Sequence, residues 1–292
     1  MPGNGSVGQR LGYVFLCLYP LIAAGLVGPR ALRMPVVDEV VGAVLFVATV
    51  AAMWAVGVRG RRTPEIGERC LAAGALLMAP FVLIGASWVG LGPPWQATAP
   101  ENVMRYVVLM VASLAVSTGF VVGRDALASV GERTWSALSL ATSLLGGVAY
   151  LVWVTFELAA WVAHVRVGHA PDALVALEDV IDLQLFVAGA VTYLATASFA
   201  ASMRRIGWLG RGAMRAYVVA NLFALVLLTV RGLSFPDPRA LDSPWYTQPG
   251  FIVGIPAVPW VMPFWLGLVL VRRAGGAPPE GALVTDSRMR GS

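Results

Sequence analysis

Glu157 is a carboxylate inside an apolar run that extends from residue 135 to residue 165. Trp153, Glu157, Trp161 and His164 recur at helical spacing and share one face. An ionisable side chain in such a run is costly to keep, which makes it a functional candidate by default. Glu157 could carry a proton, or act with His164 as an acid–base pair. Arg105, Arg166 and Arg231 are the cations at comparable depth. The structural alternative is that the run, about 30 residues or roughly 45 Å of helix, rises out of the lipid and leaves Glu157 at headgroup level beside Trp161.

A second feature concerns backbone chemistry. Pro256, Pro259 and Pro263 fall on one stripe of the last apolar run. Each removes an N–H, so the carbonyls of Ile252, Ile255 and Pro259 lose their helical partners. Irregular backbone at membrane depth survives only inside protein or along a watery cavity. A discontinuous helix that coordinates a cation or gates a path has this composition; a kinked packing helix is the plainer alternative. Asn221, midway along the seventh run, is a further polar candidate, with Gln184, Thr192 and Thr196 able to line the same path. The candidate binding residues are therefore Glu157, His164, Asn221, Ile252, Ile255, Pro256, Pro259, Arg105 and Arg231.

Other chemistry is excluded or weak. His164 and His169, the only histidines, lie near Asp172, Glu178, Asp179 and Asp182. Their spacing matches no metal signature, and the group reads as an acidic solvated loop. The chain has no Lys, so it cannot form a retinal Schiff base. Two histidines near one end of one helix cannot build a bis-imidazole haem site. His-Glu-x-x-His, phosphate-loop, multiple-histidine and paired Asp-rich motifs are missing. No cofactor and no metal are expected, and no nucleic-acid partner, since the basic residues flank apolar runs instead of forming a basic domain.

The elements that must position these residues are helices in a bilayer. Only 13% of residues are charged and 58% are hydrophobic, where a soluble domain carries about 25% charged residues. Eight apolar runs span 11–28, 36–58, 70–91, 103–123, 135–165, 181–203, 213–230 and 251–271, each long enough for a hydrocarbon layer of roughly 30 Å. The expected fold is an all-α membrane protein, a bundle of about eight transmembrane helices forming one unit over 1–273. Residues 274–292 are expected to form a disordered cytoplasmic tail. With the N-terminus in the cytoplasm, 15 of the 21 arginines fall on the inner side, as the positive-inside rule requires. Both termini are then cytoplasmic. The first run lacks a small-x-small cleavage site and reads as a retained helix. Arginine without lysine reads as GC-rich codon usage, which places the chain in a bacterial cytoplasmic membrane.

The halves 11–123 and 135–271 echo each other. Asp38-Glu39-Val40 and Glu178-Asp179-Val180 precede matching apolar blocks, and the loops 94–100 and 244–249 are alike in kind. A duplication would give two parallel four-helix halves with a site between them near mid-depth. Gly250/Gly254, Gly119/Gly123 and Ser139/Ser143/Gly147 form small-residue faces for close helix approach, within the chain or in a homo- or hetero-oligomer. The functional expectation is transporter-like movement of a small solute or ion. A non-catalytic accessory or assembly subunit and an outer-leaflet lipid-modifying enzyme are the alternatives.

Overall fold

The computed structural model describes residues 7–27, 34–57, 64–233 and 251–275, with backbone alone at Pro64, Glu178, Asp179, 231–233, Phe251 and Ile252. The 94–100 loop falls inside these limits. Its counterpart 244–249, the Gly250 end of one small-residue face and the tail beyond 275 lie outside them.

The described residues are all-helical. The long helices are α1 (Val7–Val27), α2 (Pro35–Gly57), α3 (Pro64–Ser87), α4 (Ala99–Ser129), α5 (Thr134–Val167), α7 (Glu178–Arg205) and α8 (Arg211–Leu233), with a single turn, α6 (Asp172–Val175), between α5 and α7. Among the described residues seven helices are long and apolar enough to cross a membrane. The eighth apolar run is divided into α9 (Phe251–Gly254), a 3-10 turn at Val258–Trp260 and α10 (Val261–Ala274). The bundle of about eight spans therefore stands, with the last of them broken.

The ends of the helices carry local signals. The Glu101 carboxylate accepts the Thr98 N–H (2.7 Å) at the start of α4. Gly168, at φ +84°, closes α5 by donating its N–H to the His164 carbonyl. The link between α3 and α4 folds over the end of α1, where Gly90 and Gly92 donate to the carbonyls of Leu26 and Val27. Both glycines have positive φ, which other residues rarely adopt. We term this the outer end, after the arginine distribution. At the inner end Arg272 lies over the Tyr13 ring, Arg273 donates to the Gly207 carbonyl, and Arg69 pairs with Asp125 at 3.3 Å. The start of α1 and the end of α10 thus share one end of the bundle, as an even number of crossings demands.

The packing has a centre and a periphery. Helix α10 packs on α3, α2, α1 and α7. Phe264 is fully buried, stacked on Tyr19 at 6.0 Å and edge-on to Phe81 at 5.8 Å. The Trp265 indole donates to the Cys17 carbonyl (3.0 Å). Gly74 and Gly267 meet backbone to backbone: a methyl on either would stand 2.6 Å or 2.7 Å from the other's carbonyl oxygen. At the periphery, Val219, Phe223, Val226 and Val230 leave one stripe of α8 exposed. Exposed apolar stripes of this kind on α1, α2 and α8 suit lipid as solvent. Gly119 packs on Leu77, Gly123 on Phe199, and Ser139 donates to the Ala195 carbonyl at 2.9 Å. These small-residue faces are occupied within the bundle.

Candidate functional site

The break in the last span is a set of exchanged hydrogen bonds. The Ile255 carbonyl accepts from Val258 N–H, and the Ala257 carbonyl from Trp260 N–H, which tightens the chain into a 3-10 turn. Two carbonyls point elsewhere and are met by phenols from other helices. Tyr193 of α7 donates to Val253 O at 3.0 Å, and Tyr150 of α5 donates to Pro256 O at 2.8 Å. Side chains thus replace the helical donors that these two carbonyls lose where the chain leaves the helix, the Trp260 N–H having turned to Ala257. Tyr150 also packs against Trp260, ring centroids 5.0 Å apart. Replacing Tyr150 with phenylalanine leaves the Pro256 carbonyl unpartnered in the interior. The expected cost is about 1–3 kcal/mol, read as a lower melting temperature of the detergent-solubilised protein; an unchanged melt would show the bond to be dispensable.

Beside the break is a cavity of about 10 Å³, lined by Ser113 and Ser117 of α4, Ser143 and Tyr150 of α5, Thr192 of α7 and Trp260. Ser113, Tyr150 and Thr192 each lie within one residue of the midpoint of their helix, so the cavity sits at mid-depth. Its volume is at the threshold for a single water. Glycines make the close approach possible. A methyl on Gly147 would collide with the Ser117 hydroxyl, and one on Gly146 would stand 2.9 Å from Thr192 Oγ1.

The candidates taken from the sequence fall in several places. Pro256 and Pro259 are at the break, Pro259 buried, and Ile255 is exposed beside them. Ile252 is in α9, with its side chain outside the described atoms, as is that of Arg231. Glu157 is half-buried near the outer end, two turns of α5 beyond Tyr150. There the Tyr106 hydroxyl is hydrogen-bonded with both Glu157 and Trp161, and Trp153, edge-on to Tyr106, donates to Asp182 at 3.0 Å. His164 is exposed and edge-on to Trp161 at 5.8 Å. Arg105 is 4% exposed, lies over the Trp88 ring at 5.0 Å and donates to the Gly92 carbonyl at 2.8 Å. Asn221 is buried on α8 and donates to the Tyr217 carbonyl. The outer group of Glu157, Tyr106 and Trp161 and the mid-depth cavity are thus distinct sites on the same helix. Among the described residues no group of three His, Cys, Asp or Glu side chains could hold a metal.

One acidic residue was not singled out by sequence. Glu132, in the turn between α4 and α5, is 5% exposed. Its carboxylate accepts the N–H groups of Trp135 and Ser136, both at 3.0 Å, and the Ser202 hydroxyl of α7. Burial alone would push its carboxyl up; the Ser202 hydroxyl and the two amides more than offset this and hold it below the usual carboxylate range. It caps α5 and ties the inner end of α7 to it. The available signal was its place three residues ahead of an apolar run, where an acid meets free helix N–H groups.

Fold and site together define a multi-pass integral membrane protein with a hydroxyl-lined cavity against a broken helix. No family model matches the chain, and no curated protein or solved structure matches it significantly.

Proposed function

We propose that this chain moves a small solute or ion across the membrane, with the mid-depth cavity on its path and the broken last span as its moving part. One observation carries the reading. The last span is interrupted at mid-depth, and its carbonyls at Val253 and Pro256 are held by Tyr193 and Tyr150 of two other helices. Each of these bonds can be exchanged without melting a helix. An unbroken helix would be the cheaper way to fill the same space, because irregular backbone in lipid has to recruit partners from elsewhere. A bacterial cytoplasmic membrane and two four-helix halves remain part of this proposal, with the cavity between α4 of one half and α5 and α7 of the other.

Thiol accessibility tests the path without knowledge of the transported species. In a chain whose Cys17 and Cys70 are replaced by alanine, Ser143→Cys and Thr192→Cys are treated in sealed vesicles with a cationic, membrane-impermeant methanethiosulfonate. Modification of both positions from both sides is the expected result, with Val148→Cys, on an exposed part of α5, staying unreactive in lipid. Thiols at 143 and 192 that resist the reagent from both faces would remove the transport reading and favour the accessory-subunit alternative, which needs only a sealed, well-packed interior.

A further inference from the structure

We infer that the mid-depth cavity is a binding site for a single dehydrated sodium ion; the inference deepens the transport reading and rests on it for the ion's role. Four of the five hydroxyl hydrogens around the cavity, all but that of Ser117, are already committed. Ser113 donates to Met110 O at 3.1 Å, Ser143 to Leu140 O at 2.9 Å and Thr192 to Ala188 O at 2.7 Å, each back onto its own helix. Tyr150 donates to Pro256 O at 2.8 Å. What these four oxygens can still offer an occupant is lone pairs. A water would find acceptors for its two hydrogens and a single hydroxyl donor, Ser117, for its own oxygen. A cation is satisfied by lone pairs alone.

Size and charge narrow the occupant further. About 10 Å³ admits one water-sized species, which excludes an organic solute or a hydrated ion. Among the described residues no carboxylate, imidazole or thiol lines the cavity, whereas calcium and magnesium are held mainly by carboxylates. Neutral oxygens suit a monovalent ion, as in selectivity filters and in the broken helices of transporters. Gly146 and Gly147 bring α5 against Thr192 and Ser117 with no slack, so the oxygens cannot spread to the larger shell of potassium.

Tyr150 gives the site its consequence. Tyr150 lines the cavity while its hydroxyl oxygen gives its hydrogen to the Pro256 carbonyl. A cation on that oxygen polarises the O–H and strengthens its bond to the carbonyl. Sodium therefore favours the state in which the break is held, by its differential affinity for that state.

The test uses the purified full-length chain in detergent. Melting temperature is followed as sodium chloride replaces choline chloride at constant ionic strength, with potassium chloride in parallel, and ²²Na⁺ binding is measured by equilibrium dialysis. A saturable rise of about 5 °C is expected at a sodium concentration a hundredfold above the dissociation constant, with bound ²²Na⁺ approaching one per chain. Thr192→Val and Gly147→Ala should lose both signals, and Thr192→Ser, which keeps the oxygen, should retain both. Equal stabilisation by potassium, or bound ²²Na⁺ unaffected by both disabling variants, would overturn the assignment. A sodium response in a chain whose 143 and 192 thiols stay unreactive keeps the ion site and removes transport. Reactive thiols with no sodium response do the reverse.

Discussion

Substituting valine for Gly267 is expected to leave little folded protein. At this point α10 and α3 touch through backbone, and even a methyl on Gly267 would lie 2.7 Å from the Gly74 carbonyl oxygen. Backbone cannot rotate aside as a flexible side chain can, so the helices must separate. Separation would loosen Phe264 from Tyr19 and Phe81 and open the centre of the bundle. Overpacking costs typically about 1–3 kcal/mol per site; a branched side chain against main chain at the centre belongs at or above the top of that range. Alanine at 267 should lower the melting temperature by several degrees. Gly74→Ala combined with Gly267→Ala should cost less than the sum of the two, because one separation accommodates both methyls. Full additivity in a thermal-melt cycle would show that the two glycines do not share a contact.

The second large effect is at Glu132. Its carboxylate serves three donors from two helices in a buried turn. Glutamine keeps the shape but loses the charge and one acceptor oxygen, and its amide N–H groups face N–H groups. Hydrogen bonds to charged groups are worth about 1.5–3 kcal/mol, so Glu132→Gln should cost roughly that amount. The pH dependence carries a definite sign. The fold holds this carboxyl below its ordinary value, so it binds the ionised form better than the unfolded chain does. The stabilisation is complete above the ordinary glutamate value of about 4.3 and drains away as pH falls through the lower folded value. Melts of wild type and Glu132→Gln should therefore differ most near neutral pH and converge in acid. A difference that grows on acidification would refute the assignment.

The sequence was informative where the physics is one-dimensional. Apolar runs long enough for a bilayer mark the spans, and seven recur as single helices because length and hydropathy alone decide them. The prolines at 256, 259 and 263 marked the division of the eighth. Donor bookkeeping along an unbroken helix singled out the carbonyls of Ile252, Ile255 and Pro259. Once residues 255–257 leave the helix that bookkeeping shifts. Ile255 finds Val258, and Tyr193 and Tyr150 meet Val253 and Pro256 instead. Of the cavity only Thr192 was marked in the sequence, as a residue able to line a polar path. Ser113 and Ser143 look like packing hydroxyls on their own helices, and only the approach of α4, α5 and α7 gathers them with Thr192. Glu157 drew notice because charge in an apolar run is conspicuous, yet its environment depends on Tyr106, fifty-one positions earlier in the chain.

The central position of α10 has a consequence for biosynthesis. Of the eight spans described, the one that fills the middle of the bundle is the last to leave the ribosome. Until residue 274 has emerged, the seven earlier spans enclose a vacant groove floored by Gly74, with Tyr19 and Phe81 lacking the ring that packs between them. Chains normally complete their structure from the N-terminus onward as they are made; here the earlier spans must wait for the closing one. A nascent chain that stalls before Val261 is therefore an open assembly, exposed to lipid intrusion and to membrane proteases, and its maturation is timed by the synthesis of α10.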